Sequence, residues 1–264
     1  MPRLKLILAY EGTHYAGWQL QANEGKGQAL SIQGVVERAV TSLTGARYPL
    51  FAAGRTDAGV HAEDQVCHLD LPEDALRLDW QRALNANMPS DIRIVHAQWV
   101  DQTFHARKSA ISKRYSYTLW MHKDRALPRL RAFCWSVPSL DLSRLAAALP
   151  LLEGEHDFAS FQNKGTPVRK TVRHLFSVSL QTGLAGPLRC PQDWPVVELS
   201  FEGDGFLKQM VRNLVGLLVW VGLGKIEVER IPSILAARDR RALPSPSAPA
   251  KGLSLMQVSY PLPE

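Results

Sequence analysis

Three groups that can carry charge or move protons crowd into one short stretch. They are Arg55, Asp57 and His61, within Gly54-Arg55-Thr56-Asp57-Ala58-Gly59-Val60-His61-Ala62. Apolar, strand-like runs flank it, residues 49–53 before and 66–71 after. A plain turn between two such runs needs only a few small or polar residues. Glycine on each side of the Arg-Thr-Asp group permits unusual backbone angles or close approach to a ligand. Loops fixed by a rigid scaffold often carry catalytic and binding groups; a solvated turn is the plainer alternative. A second group lies far downstream. Lys208, Gln209, Arg212 and Asn213 recur at helical spacing, as a polar stripe at the head of an otherwise apolar helix over 206–223. Arg212 is suited to reach a buried carboxylate, with Asp57 the natural partner; an exposed helix end is the alternative. His61 and His105 invite acid–base or zinc readings. No ligand spacing supports zinc, and both read as structural.

A scaffold must hold these groups. Leu4, Leu6, Leu8 and Tyr10 alternate with residues that are themselves largely apolar, which predicts a central strand. A polar loop over 11–30 follows, with Tyr15, Trp18, Gln19, Gln21, Gln28 and Gly25-Lys26-Gly27. A loop of that length in a compact domain is either functional or a surface insertion. Ser31 reads as an N-cap, Ile32 to Leu43 as a helix, and Gly45 as its stop. Then come a short helix over 79–86, a strand over 92–100 and an alternating strand over 113–120, with Tyr115, Tyr117 and Leu119 on one face. A strand over 132–137, a helix over 142–152, strands over 172–180 and 196–202, a short helix over 231–238 and a last strand over 253–260 complete the chain.

Strands and helices do not alternate strictly, so the fold class is α+β with mixed, mostly antiparallel sheets flanked by helices. The order repeats roughly, which suggests two similar halves. Residues 1–122 would carry the Asp57 loop. Residues 123–264 would carry the Arg212 helix and the final strand, with the basic connector 123–131 as the boundary.

The 264 residues are 45% hydrophobic and 21% charged, an ordinary globular composition with enough chain for a real core. The formal charge of +6 fits a polyanionic partner such as nucleic acid. Cys67, Cys134 and Cys190 are scattered and odd in number, so neither a disulfide framework nor a zinc site is expected. The first residues lack a signal-peptide layout, and the most apolar run, 214–223, is half the length of a membrane span. A soluble cytoplasmic protein is the expectation.

The stretch 54–62 resembles the signature of the tRNA pseudouridine synthase A family. Other segments agree in order. They are Tyr10-Glu11-Gly12-Thr13-His14-Tyr15-Ala16-Gly17-Trp18-Gln19, Leu84-Asn85 with Pro89-Ser90-Asp91-Ile92, and Phe104-His105-Ala106-Arg107. Lys113-Arg114-Tyr115-Ser116-Tyr117, His156-Asp157-Phe158, Phe206-Leu207 with Met210-Val211-Arg212-Asn213, and Gly252-Leu253 with Leu255 follow. Lys108 departs from the family pattern, as do Lys208-Gln209 and Ser247-Ala248-Pro249-Ala250.

The resemblance implies a cofactor-free, metal-free isomerase that converts uridine to pseudouridine at positions 38 to 40 of the tRNA anticodon stem-loop. It also implies a homodimer, and a central basic cleft between the two halves. Asp57 would be the essential carboxylate, attacking C1′ or the uracil C6 or abstracting a sugar proton. Each role needs it ionised in a dry pocket, an environment that disfavours a carboxylate's charged form. Arg212 would supply the countering charge. Tyr115 would stack on uracil, and Leu255 would close the apolar side. Arg55 would enter where the target base flips out. Lys108, Lys113, Arg114, Lys164, Arg169 and Lys170 are candidate phosphate contacts. Two rivals stand beside this reading, an inactive RNA-binding or chaperone protein and a glycosidase that cleaves without rejoining. The glycosidase lacks a second carboxylate in the Asp57 motif.

Overall fold

The structure, a computed structural model, describes residues 1–21, 29–122, 126–163, 165, 170–183 and 194–261. Gly25-Lys26-Gly27, Gln28, Lys164, Arg169 and Cys190 lie outside the described residues. The chain divides into two compact units, Met1–Ile111 with Ser254–Glu264, and Ser112–Leu253. The cut thus falls ahead of the 113–120 strand rather than in the basic connector, and the closing strand belongs with the first unit.

In the first unit, β1 (Arg3–Tyr10) lies between β3 (His61–Asp70) and β4 (Ile92–Val100), antiparallel to both. This is the central position that the sequence predicts. Leu4, Leu6 and Leu8 are buried, each contributing roughly 1.5–3 kcal/mol. The short β2 (Phe51–Ala52) pairs with β3, and β10 (Leu253–Ser259) joins β3 in parallel through Ser254 and Leu255. Helix α1 (Ile32–Thr44) starts and stops as its sequence dictates. The Ser31 side chain accepts from the Gly34 N–H, and Gly45 ends the helix at φ 71°. Helix α2 (Trp80–Ala86) is capped by Asp79.

In the second unit, β5 (Ser112–Met121) pairs with β9 (Val196–Gly203), β9 with β8 (Val172–Thr182), and β8 with β7 (Gly154–Asp157), all antiparallel. The short β6 (Trp135–Val137) adds to β5 in parallel. The helix expected over 142–152 is α3 (Leu142–Ala148) followed by a tighter turn, Leu149–Leu152, where Pro150 cannot donate to an α-helical ladder. Helix α4 (Met210–Gly222) packs on α3 and is nearly all buried, and α5 (Ile231–Ala237) follows it. Within each unit the strand pairing is mixed and mainly antiparallel, as expected. Among the described residues, no helix is long and apolar enough to cross a membrane.

The motif Phe104-His105-Ala106-Arg107 has a structural use in the first unit. His68 Nδ1 accepts from the Ala106 N–H at 3.2 Å, and His105 Nδ1 from the Arg107 N–H at 3.1 Å. Burial, with Arg3 and His105 nearby, pushes His68 down to about 4, and Asp70 opposes the shift. An unfolded imidazole titrates near 6.5, so the folded state binds fewer protons between these values. Stability from His68 is therefore complete above about pH 6.5 and lost as pH falls toward 4. Thermal unfolding across that range is expected to show a falling Tm, with a shallower fall in His68→Phe.

Candidate active site

The Asp57 loop is held by the segment just after β1, and mostly through backbone atoms. The Trp18 N–H donates to the Thr56 carbonyl at 3.0 Å. The Gln65 side chain, buried in β3, donates to the Gly54 carbonyl at 2.9 Å. The Val60 N–H closes the turn onto the Asp57 carbonyl at 3.2 Å. Under the loop, the hydroxyls of Tyr10 and Thr56 are bonded at 2.8 Å. Tyr10 is buried, and desolvation pushes its phenol up to about 12.

Two glycines let the strands of this cradle touch. Gly17 adopts φ +92°, and a Cβ on it would stand 2.6 Å from the Thr56 carbonyl oxygen and 2.9 Å from the Ala58 nitrogen. At Gly12 a Cβ would stand 2.0 Å from the Val60 carbonyl oxygen. Its N–H donates to His61 Nδ1 at 3.1 Å, so the other ring nitrogen carries the proton of the neutral ring. His61 is thus tied into the scaffold, in line with a structural part. Asp57 itself is half-buried while Arg55 is exposed. Leu255 is buried and pairs with Ala62, a few residues past Asp57 along β3. Lys108 is exposed in the same unit.

The second unit holds the other candidates. Tyr115 and Tyr117 project from one face of β5, as alternation requires. Tyr115 is buried and meets Phe206 edge-on, with ring centroids 5.0 Å apart. Arg114 and Lys170 are exposed, and Lys113 is half-buried. Arg212 sits in the first turn of α4, where its Nε donates to the Ala248 carbonyl at 2.7 Å.

The polar stripe predicted along 206–223 is corrected here. Gln209 stands in the left-handed region at φ 60° and begins the helix, so Lys208 and Gln209 precede α4 and only Arg212 and Asn213 belong to it. Asn213 is wholly buried rather than exposed. Its amide donates to the Phe161 carbonyl at 2.7 Å and to Asn163 Oδ1 at 3.1 Å, and its oxygen accepts from Ser247 and Arg240. Sequence periodicity could not separate Asn213 from Arg212, because both are polar at helical spacing. The supports at Tyr10, Gly12, Gly17 and Trp18 were visible only as a motif of unassigned purpose.

Comparison with known proteins adds a separate line. A family model described as tRNA pseudouridine synthase matches residues 6–107 and 148–261. A tRNA pseudouridine synthase A from Oleidesulfovibrio alaskensis is 47% identical over 99% of this chain and 97% of its own length. One from Lawsonia intracellularis is 46% identical over 98% of this chain and 100% of its own. One from Geobacillus kaustophilus is 39% identical over 98% and 94%.

Proposed function

The chain belongs to the tRNA pseudouridine synthase family, and from that premise we propose that it isomerises uridine at positions 38 to 40 of the tRNA anticodon stem-loop, with Asp57 as the essential carboxylate. The enzyme is an isomerase acting on tRNA. Its reaction breaks the C1′–N1 bond, turns the uracil and forms a C1′–C5 bond. The C5 proton leaves and N1 gains one, so no redox partner is needed.

The observation that carries the role of Asp57 is its seat. A half-buried carboxylate stands on a loop whose neighbours on both sides are pinned by backbone hydrogen bonds. Such a group is oriented before substrate arrives, and pre-orientation lowers a barrier. Arg212 supplies fixed positive charge to the reaction, a role suited to a guanidinium that stays ionised. Tyr115 offers an aromatic face for uracil, with a hydroxyl at its edge. Leu255 gives an apolar wall. Arg55 serves the backbone that the flipped nucleotide leaves, since flipping costs a few kcal/mol of unstacking. Lys108 and Arg114 contact phosphates. The protein works as a homodimer in the cytoplasm, without metal or cofactor.

Mapping pseudouridine by chemical probing of a tRNA with uridines inside and outside positions 38 to 40 tests the assignment. Product confined to those positions supports it, and product elsewhere contradicts it. Binding should also weaken steeply with salt, because neutralised phosphates release counterions. With about four such contacts, affinity falls roughly 50- to 150-fold between about 50 and 200 mM salt. A salt-independent Kd measured by filter binding would remove the phosphate contacts.

A further inference from the structure

The segment over residues 244–252 is tied down at several closely spaced points within the second unit. Arg212 and Ala248 exchange two bonds. The guanidinium Nε donates to the Ala248 carbonyl at 2.7 Å, and the Ala248 N–H donates to the Arg212 carbonyl at 3.0 Å. The Ser247 hydroxyl donates to Asn213 Oδ1. The Pro246 carbonyl lies so close to α4 that a Cβ on Gly216 would stand 2.0 Å from it. The next residue after Ala248, Pro249, offers its carbonyl to the Tyr117 hydroxyl at 2.8 Å. The Tyr117 ring in turn lies on Gly252, where a Cβ would stand 2.6 Å from it. Tyr117 is wholly buried, and desolvation holds its phenol far above the ordinary range, with the Arg212 charge opposing the shift. It is a neutral donor at any working pH.

We infer that residues 244–252 form a strap, locked by the Tyr117 hydroxyl, that positions the Arg212 guanidinium for the reaction. An arginine side chain is long and flexible, so an unsupported one must be ordered during the reaction itself. Here the carbonyl on its Nε belongs to a backbone that a buried hydroxyl holds one residue further on. Tyr117 is a positioning residue in this account, since it acts through the strap and Arg212. The inference rests on the catalytic role proposed for Arg212. A tyrosine placed only to fill the sheet core would be replaced by phenylalanine without kinetic cost.

The test is a double-mutant cycle on saturating tRNA, with wild type, Tyr117→Phe, Arg212→Ala and the double variant. Arg212→Ala is expected to lower kcat about a hundredfold. Tyr117→Phe is expected to lower kcat about five- to tenfold, the rate equivalent of one hydrogen bond, with KM unchanged. The double variant should fall no further than Arg212→Ala, within about twofold. An equal factor of loss from Tyr117→Phe in both backgrounds overturns the strap, as does an unchanged kcat in folded Tyr117→Phe. In either case a large loss in Arg212→Ala keeps the role of Arg212 standing. Full turnover by Arg212→Ala removes that role and the strap with it. Thermal unfolding of each variant reports folding. Should Tyr117→Phe not fold, Ser247→Ala takes its place in the cycle, with the same coupling expected and the same additivity counting against it.

Discussion

Replacing Asp57 with alanine is expected to lower turnover by at least about 10⁴-fold while tRNA affinity stays within about twofold. The asymmetry follows from how the loop is held. Four of its fixed points, the Gly54, Thr56 and Asp57 carbonyls and the Thr56 hydroxyl, do not involve the Asp57 side chain. Truncating the Asp57 side chain leaves all four in place. Phosphate contacts elsewhere carry most of the affinity for a polyanion, so binding survives the loss of one carboxylate. Turnover by the variant at saturating tRNA, read beside Kd by filter binding, checks both halves. Loss of binding together with turnover would make Asp57 a structural residue.

Gly17→Ala is expected to cost about 3 kcal/mol of stability and about a hundredfold in kcat. Two effects combine at this residue. Its φ of +92° is unfavourable for a side chain, and the added Cβ would press on the Thr56 carbonyl at 2.6 Å. Backbone cannot swing aside as a flexible side chain can, so the Thr56-Asp57-Ala58 stretch must move. A displacement of about 1 Å at a reacting group costs about a hundredfold in rate. Gly45→Ala is the control. Gly45 shares the left-handed backbone at φ +71°, but nothing lies within 4 Å of a Cβ there. It should lose about 1 kcal/mol and keep its kcat. Equal kcat losses in the two variants would mean that the contact with the loop is irrelevant.

Much of the scaffold was legible because local rules and tertiary context agreed. Ser31 and Gly45 bound α1 where capping chemistry places them, and the apolar alternation of β1 matches a strand flanked on both sides. Other features depend on partners that local sequence does not display. The start of α4 is set by Gln209 in the left-handed region beside Asn163, and no periodicity announces that. The runs at 49–53 and 66–71 read alike in isolation, yet the strand in the first is only Phe51–Ala52 while β3 extends back to His61. The pairings of β5 with β9 and of β10 with β3 join segments far apart in sequence, which local composition does not display. The Asp57 loop was recognisable from its own residues, whereas the reason for Gly12 and Gly17 appeared only once the loop backbone lay against them.

The most direct test of the central claim is tritium release from tRNA carrying [5-³H]uridine, with nucleoside analysis of the same reaction. Pseudouridine formed at positions 38 to 40 with one tritium released per product, and none released by Asp57→Ala, is the expected result. Free uracil in place of pseudouridine, or bound tRNA with its tritium retained, would contradict it.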